Sequence, residues 1–341
     1  MMGLTNGLVM LYAAFLVVSL GTGGVSHAVT WPTIISRWFH RKRGLAMGLA
    51  VLGPMVGSPF VILNATLAEE ISWRVILIAY GVITAITVSC VGLIARDRPE
   101  PYGYRPDGEP PEKSNTVNHG NLAEPNHPQA SFSEEHLEPG LTVRQAIRTR
   151  SFWLLSLYLG GMFAGNSALQ AHQIPYLVNE HGFTDGAAAA TLTIVFMASS
   201  IGRIGAGALI DIMDYRRVLV IASLMMASSF LYLQLFPVTT IFETLPYALL
   251  FGISFGSTVP MRGLLSSITF GTRSLGSLIG LIQTTTIVAS FAGPLMLGVV
   301  FDNKGSYSFG IWILIVIVLA MIPPTFLMKP IDALTKVWKP A

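Results

Sequence analysis

Apolar residues in this chain fall in long unbroken runs, not in the short alternations of a soluble helix or strand. Nine runs stand out: 7–35, 45–67, 73–95, 152–178, 186–210, 218–237, 245–267, 275–300 and 307–328. A run of about 20 apolar residues is long enough to cross the hydrocarbon core of a bilayer as a helix. Lipid offers the backbone no hydrogen-bond partner, so each such run must satisfy its own N–H and C=O groups by coiling. The pattern therefore predicts an all-α, polytopic membrane bundle of about nine transmembrane helices. Runs seven and eight are the least clearly separated by polarity.

One stretch breaks the pattern. Residues 97–148 are rich in Pro, Gly, Asn, Glu and His and carry no apolar period, which reads as a largely disordered linker. Within its end, Leu141 to Arg150 has a helix-like pattern and is expected on the membrane surface ahead of the fourth span. The expected organisation is then three spans in 1–96, the linker 97–148, six spans in 149–329 and a tail, 330–341. A weak internal echo supports a repeat. Gly44 and Gly48 follow Arg43 at the start of the second span, as Gly276 and Gly280 follow Arg273 at the start of the eighth. On that echo spans one to three correspond to seven to nine, and the first bundle lacks three helices.

Composition agrees with the pattern: 52% hydrophobic and only 11% charged, against about 25% charged in ordinary soluble domains. The net charge of +3 and the absence of a binding signature argue against a nucleic-acid partner. The basic residues instead set sidedness. Eighteen of the 21 Lys and Arg residues fall on one face of the predicted bundle, among them Arg37, Arg41 to Arg43, Arg216, Arg217, Arg262 and Arg273. Only Arg74 and Lys304 fall on the other. The basic face is read as cytoplasmic, with the C-terminus inside, the N-terminus outside, and the protein in a plasma or inner membrane. Met1 to Asn6 has no basic residue, so a cleavable signal peptide is not expected.

The polar residues inside spans are few. Arg203 is the sharpest, because it lies eight residues before Asp211, ~12 Å along a helix. A lone guanidinium at that depth costs about 2.5–3.5 kcal/mol on insertion scales. It must face the bundle interior or snorkel to the edge. Its planar fork matches a carboxylate. A substrate contact and a structural role both fit it. His172 lies near the outer end of span four with Gln170 and Tyr176, where a substrate or proton role and a hydrogen-bonded structural role both fit it. Asn64 and Gln283 are polar positions in spans two and eight, suited to interhelical hydrogen bonds or pore lining. His27 is a weaker candidate, and Cys90 reads as a small buried hydrophobe. No Asp or Glu is assigned to a span core. The linker residues His119, His127 and His136 lack metal-ligand spacing. No nucleotide-loop pattern occurs, and neither a cofactor nor a metal is expected.

Several segments resemble the major facilitator superfamily, in particular its monocarboxylate transporter and oxalate–formate antiporter branch. Trp38 to Gly48 is similar to the turn after that family's fourth helix, Arg96 to Pro111 to the entry of its central loop, and Leu141 to Trp153 to the approach to its seventh helix. His172 to Leu177 resembles the outer end of that helix. Gly207 to Asp211 with Arg216 and Arg217 fits its G-x-L-x-D loop motif, and Phe301 to Tyr307 resembles the loop before the last helix. The resemblance implies a twelve-helix carrier built from two six-helix bundles, with this chain starting at the fourth helix. It implies that Arg203 engages a substrate carboxylate and that Gly207, Asp211, Arg216 and Arg217 form a cytoplasmic latch that shifts during transport. Monocarboxylate transporters carry an aspartate one turn before this arginine, where this chain has Ser199. The antiporters carry a lysine in their eleventh helix, and 274–300 has none. With no second cation expected, the reading leans to a single carboxylate.

The function expected from all this is secondary active transport of a small monocarboxylate or related organic anion, driven by a proton or anion gradient. Two alternatives remain open: a carrier of a different solute, or a non-transporting membrane sensor or assembly partner. No catalytic cluster supports an enzyme.

Overall fold

The computed structural model describes residues 7–25, 30–39, 41–53, 71–97, 99–104, 107 and 140–330. The helices, in chain order, are α1 (Leu8–Val25), α2 (Thr30–Trp38), α3 (Arg43–Ala50), α4 (Trp73–Ile94), α5 (Val143–Ile147), α6 (Arg150–His181), α7 (Asp185–Ile212), α8 (Tyr215–Leu235), α9 (Ile241–Phe270), α10 (Leu275–Lys304), α11 (Ser308–Ala320) and α12 (Ile322–Leu327). Seven spans are long and apolar enough to cross a bilayer: 74–94, 150–181, 185–212, 215–235, 241–270, 275–304 and 308–327. The first and second predicted spans are described only in part, as α1, α2 and α3, and much of 45–67 lies outside the described residues, as does His27.

The helix ends follow from local chemistry. Thr149 and Thr184 cap α6 and α7 by accepting from Phe152 N and Ala187 N, and left-handed Gly182 and Gly305 close α6 and α10. Thr142 and Gln145 form a reciprocal capping box that holds the short α5. That segment docks its buried Leu141 and Ala146 into the core. Leu141 N donates to Phe270 O, tying it to the end of α9.

Helices α6 to α12 share one continuous apolar core. Within it α9 is the most enclosed span and α10 the least. The tightest seam is α7 against α9. A Cβ at Gly202 would strike the Ile253 carbonyl, and one at Gly256 the Ser199 carbonyl. Glycine lets these two backbones touch. Val195 meets Gly252 where Ser199 meets Gly256, so the two helices run parallel.

The segments before residue 104 attach differently. α3 packs on α7, and Gly44 and Gly207 allow their backbones to meet. α2 and α3 add a small apolar cluster of Ile35, Met47 and Leu264. Arg37 pairs with Asp97 at 2.5 Å, and Trp38 Nε1 donates to Arg96 O at 2.9 Å. In α4 the described side chains are exposed on nearly every face. Cys90 is among them, which corrects its reading as buried. A helix of this composition is apolar because lipid or other helices surround it.

Candidate functional site

Arg203 sits in the last third of α7, where the close approach of α7 and α9 directs its side chain into the bundle. It is 3% exposed. Its Cζ lies 5.7 Å from the centroid of Phe255 on α9. Nε and Nη1 have no hydrogen-bond partner among the described residues. The guanidinium therefore faces inward and does not snorkel, and no carboxylate among the described residues compensates it. Ser199, one turn earlier, donates to Phe196 O of its own helix at 2.6 Å.

A second buried arginine is present where the sequence reading placed a cytoplasmic turn. Arg262 lies within α9, eight residues before its end, and is 5% exposed. It is removed from the cytoplasmic tally, and the expectation of a missing second cation is overturned. Helix α9 continues through the weakly polar 262–270 because Ser266 and Ser267 return their hydroxyls to the Arg262 and Leu264 carbonyls. Arg262 Nη1 donates to Gln283 Oε1 of α10. Its Cζ stands 5.7 Å from the Phe163 centroid of α6, and its Nε is unpartnered among the described residues. Beside it is a cavity of about 10 Å³, lined by Trp31, Pro32, Ile35, Met47, Val51 and Val259, with room for about one water. Arg262 thus marks the seam where α2 and α3 meet α9.

Gln283 joins Arg262, not Arg203. The other candidates lie elsewhere. His172 is half-buried between α6 and α10. Its Nε2 lies 3.1 Å from Pro294 O and its Nδ1 3.3 Å from Tyr307 Oη. A carbonyl can only accept, so Nε2 carries a proton and Nδ1 can accept from the tyrosine. Tyr176 is buried, donates to Leu233 O at 3.0 Å and meets His181 Nε2 at 3.0 Å. Both residues bind helices together at the α6 end. Gln170 is half-buried, with no hydrogen bond among the described residues. Asn64 lies outside the described residues. Another polar group, Asn166 on α6, donates to Thr258 Oγ1 at 3.3 Å, one turn from Arg262 on α9.

The loop-motif residues divide. Asp211 accepts from Gly44 N at 2.8 Å and Leu45 N at 2.9 Å, so it caps α3 from the end of α7. Gly207 supplies the close approach that brings it there. Arg43, on the same seam, donates to Ser36 O and Ser267 Oγ. Burial pulls the Arg43 guanidinium below its ordinary range, and Asp107 and Asp211 raise it again. Arg216 turns away from Asp211 and donates to Met328 O at 2.8 Å. Arg217 is exposed.

Gly252 to Gly256 has the G-x-S-x-G spacing of a hydrolase elbow, which requires a strand-to-helix turn. Here it lies in mid-helix, and Ser254 donates to Ala222 O at 2.7 Å as a helix contact. Among the described residues no group of His, Cys, Asp and Glu is arranged to hold a metal.

The sequence model of the Major Facilitator Superfamily matches residues 1–294 and 166–337. Mouse monocarboxylate transporter 12 is 26% identical over 286 residues, 81% of this chain and 57% of that protein. An MFS-type transporter of Aspergillus terreus is 25% identical over 209 residues, 59% of this chain and 58% of that protein. This chain thus spans somewhat more than half the length of these curated relatives. The crystal structure of the fucose:proton symporter of E. coli superposes with a TM-score of 0.62 at 18% identity, covering 94% of this chain and 78% of that one, a likeness of fold.

Proposed function

The chain belongs to the major facilitator superfamily, a family of multi-pass membrane transporters, and on that premise we propose that it acts in secondary transport of a small organic anion bearing a carboxylate. One observation carries the reading: Arg203 is held away from water, deep among helices, with no acidic partner among the described residues. A buried unpaired cation is costly, and an anionic solute that enters beside it removes that cost. Phe255 can flank the bound carboxylate, while Arg203 offers it two parallel donors.

The basic face is cytoplasmic in this reading, with the C-terminus inside, and the bundle 149–329 moves against the spans of 1–96 across the linker 97–148. The contact of Asp211 with the start of α3 is the latch that holds the seam closed at that face and parts as the halves rock. Either a proton or an anion gradient drives the cycle.

Labelled lactate, pyruvate, oxalate and formate offered to vesicles containing the chain test this. Arg203→Lys is expected to insert normally and lose uptake, because an ammonium cannot reproduce the fork. Undiminished uptake by that variant removes the basis of the assignment. A tag at Met1 is expected to be reachable from outside, and a protected tag would refute the orientation.

A further inference from the structure

We propose that α5 and the first turns of α6 form a docking surface for one anionic phospholipid of the adjacent leaflet, its headgroup on Arg144 and Arg148 and its acyl chain along Trp153 and Leu157. The inference stands apart from the reading of Arg203.

Three observations carry it. First, α5 is fixed with one face inward. Leu141 and Ala146 are buried, and Val143 and Ile147 pack against the core. The Thr142–Gln145 capping box and the bond from Leu141 N to Phe270 O hold the segment in place. Arg144 and Arg148 are left exposed, four residues apart and so on one side of the turn. Second, the charge here has one sign. Arg150 is exposed at the start of α6, and Arg273, exposed beyond the end of α9, lies against Gly140 so closely that a Cβ there would strike it. Across 140–153 and 270–275 there are four arginines and no Asp or Glu. None of the four forms an ion pair among the described residues. Each such cation near an anionic surface strengthens attraction to it about fivefold. Third, an aromatic side chain stands between the charges and the apolar span. Trp153 is 58% exposed, and its Nε1 donates to Ile147 O at 3.0 Å, which brings the indole to the end of α5 beside Arg148. Arg150, Trp153 and Leu157 follow one another along one exposed face of α6. Guanidinium, indole and aliphatic chain thus come in the order of headgroup, interface and hydrocarbon. A soluble acidic partner could meet only the arginines, because the stripe from Trp153 to Leu157 opens a membrane-spanning helix. A lipid meets both. Bridging α5 and α6, it steadies the segment that ties the end of the linker to the α9–α10 turn.

The test uses the whole chain in nanodiscs and brominated lipids, which quench an indole on contact. Quenching that disappears in Trp153→Phe belongs to Trp153. That component is expected to reach its half-point at an about tenfold lower mole fraction of brominated phosphatidylserine than of brominated phosphatidylcholine. Arg144→Gln combined with Arg148→Gln is expected to bring the two lipids within about twofold, while Lys42→Gln, exposed on the same side of the bundle, leaves the preference whole. Should the double variant fail to fold, the unaltered chain at about 1 M salt decides, because screening to ~3 Å should remove the preference. Equal quenching by the two lipids overturns the proposal, as does a preference that survives the double variant or the salt. Displacement of phosphatidylserine by inorganic phosphate at equal concentration overturns it too, since the arginines would then be a site for a soluble anion.

Discussion

Arg203 and Arg262 lie at nearly one depth on adjacent parallel helices, and each is more than nine-tenths buried, yet their surroundings differ. Arg203 has an aromatic face and, among the described residues, no acceptor for two of its nitrogens. Arg262 has an aromatic face, a carboxamide acceptor and a cavity against α2 and α3. The difference shows how a bundle can keep two cations in a low-dielectric interior by different means. Among the described residues one is held by helix packing and an aromatic ring, the other also by a neutral hydrogen-bond partner on a third helix.

Arg203→Met offers the sharpest break. Replacing a buried unpaired charge with an apolar chain of similar length is expected to raise thermal stability, by about 1–4 kcal/mol where the site repacks well. Carboxylate affinity should fall about 100-fold in the same variant, as measured by calorimetry. A variant that loses both stability and binding would mean that the guanidinium is structural. Gln283→Leu comes next. It removes the acceptor of Arg262 and is expected to cost about 1–3 kcal/mol in denaturation of the reconstituted chain; an unchanged midpoint would mean that the contact contributes nothing. Phe255→Leu should be smaller, about 0.5–2 kcal/mol from the lost ring–cation attraction. The smallest effect belongs to Ser199→Ala, within about 1 kcal/mol, because its hydroxyl serves a carbonyl of its own helix. A large loss there would show that Ser199 supports Arg203 after all.

The two arginines also differ in how they announce themselves. Arg203 interrupts the apolar run 186–210, so the sequence singled it out but left open whether it faces the interior or snorkels to the edge. Arg262 lies in Pro260-Met261-Arg262-Gly263, followed by Ser266, Ser267 and Thr269, which looks like the approach to a turn. The hydroxyls that make the segment polar return to helix carbonyls, and periodicity cannot show that. The available signal was that Arg262 falls inside the apolar run 245–267. The spans of the second half were readable because lipid imposes one solution on each apolar run. Partners across helices were not: His172 with Pro294, and Gln283 with Arg262, depend on rotations that hydropathy does not encode. The glycine echo was half informative. Gly48 packs against the backbone of Arg203, whereas Gly280 has open space beside it.

The contact of Asp211 with Gly44 and Leu45 has a genetic consequence. Both donors are main-chain amides, present for every residue but proline, so any other substitution at Leu45 leaves the bond available. The carboxylate is the vulnerable member. Suppressors of an Asp211 defect should therefore arise where they tilt or shift α3, not at the bonded residues themselves.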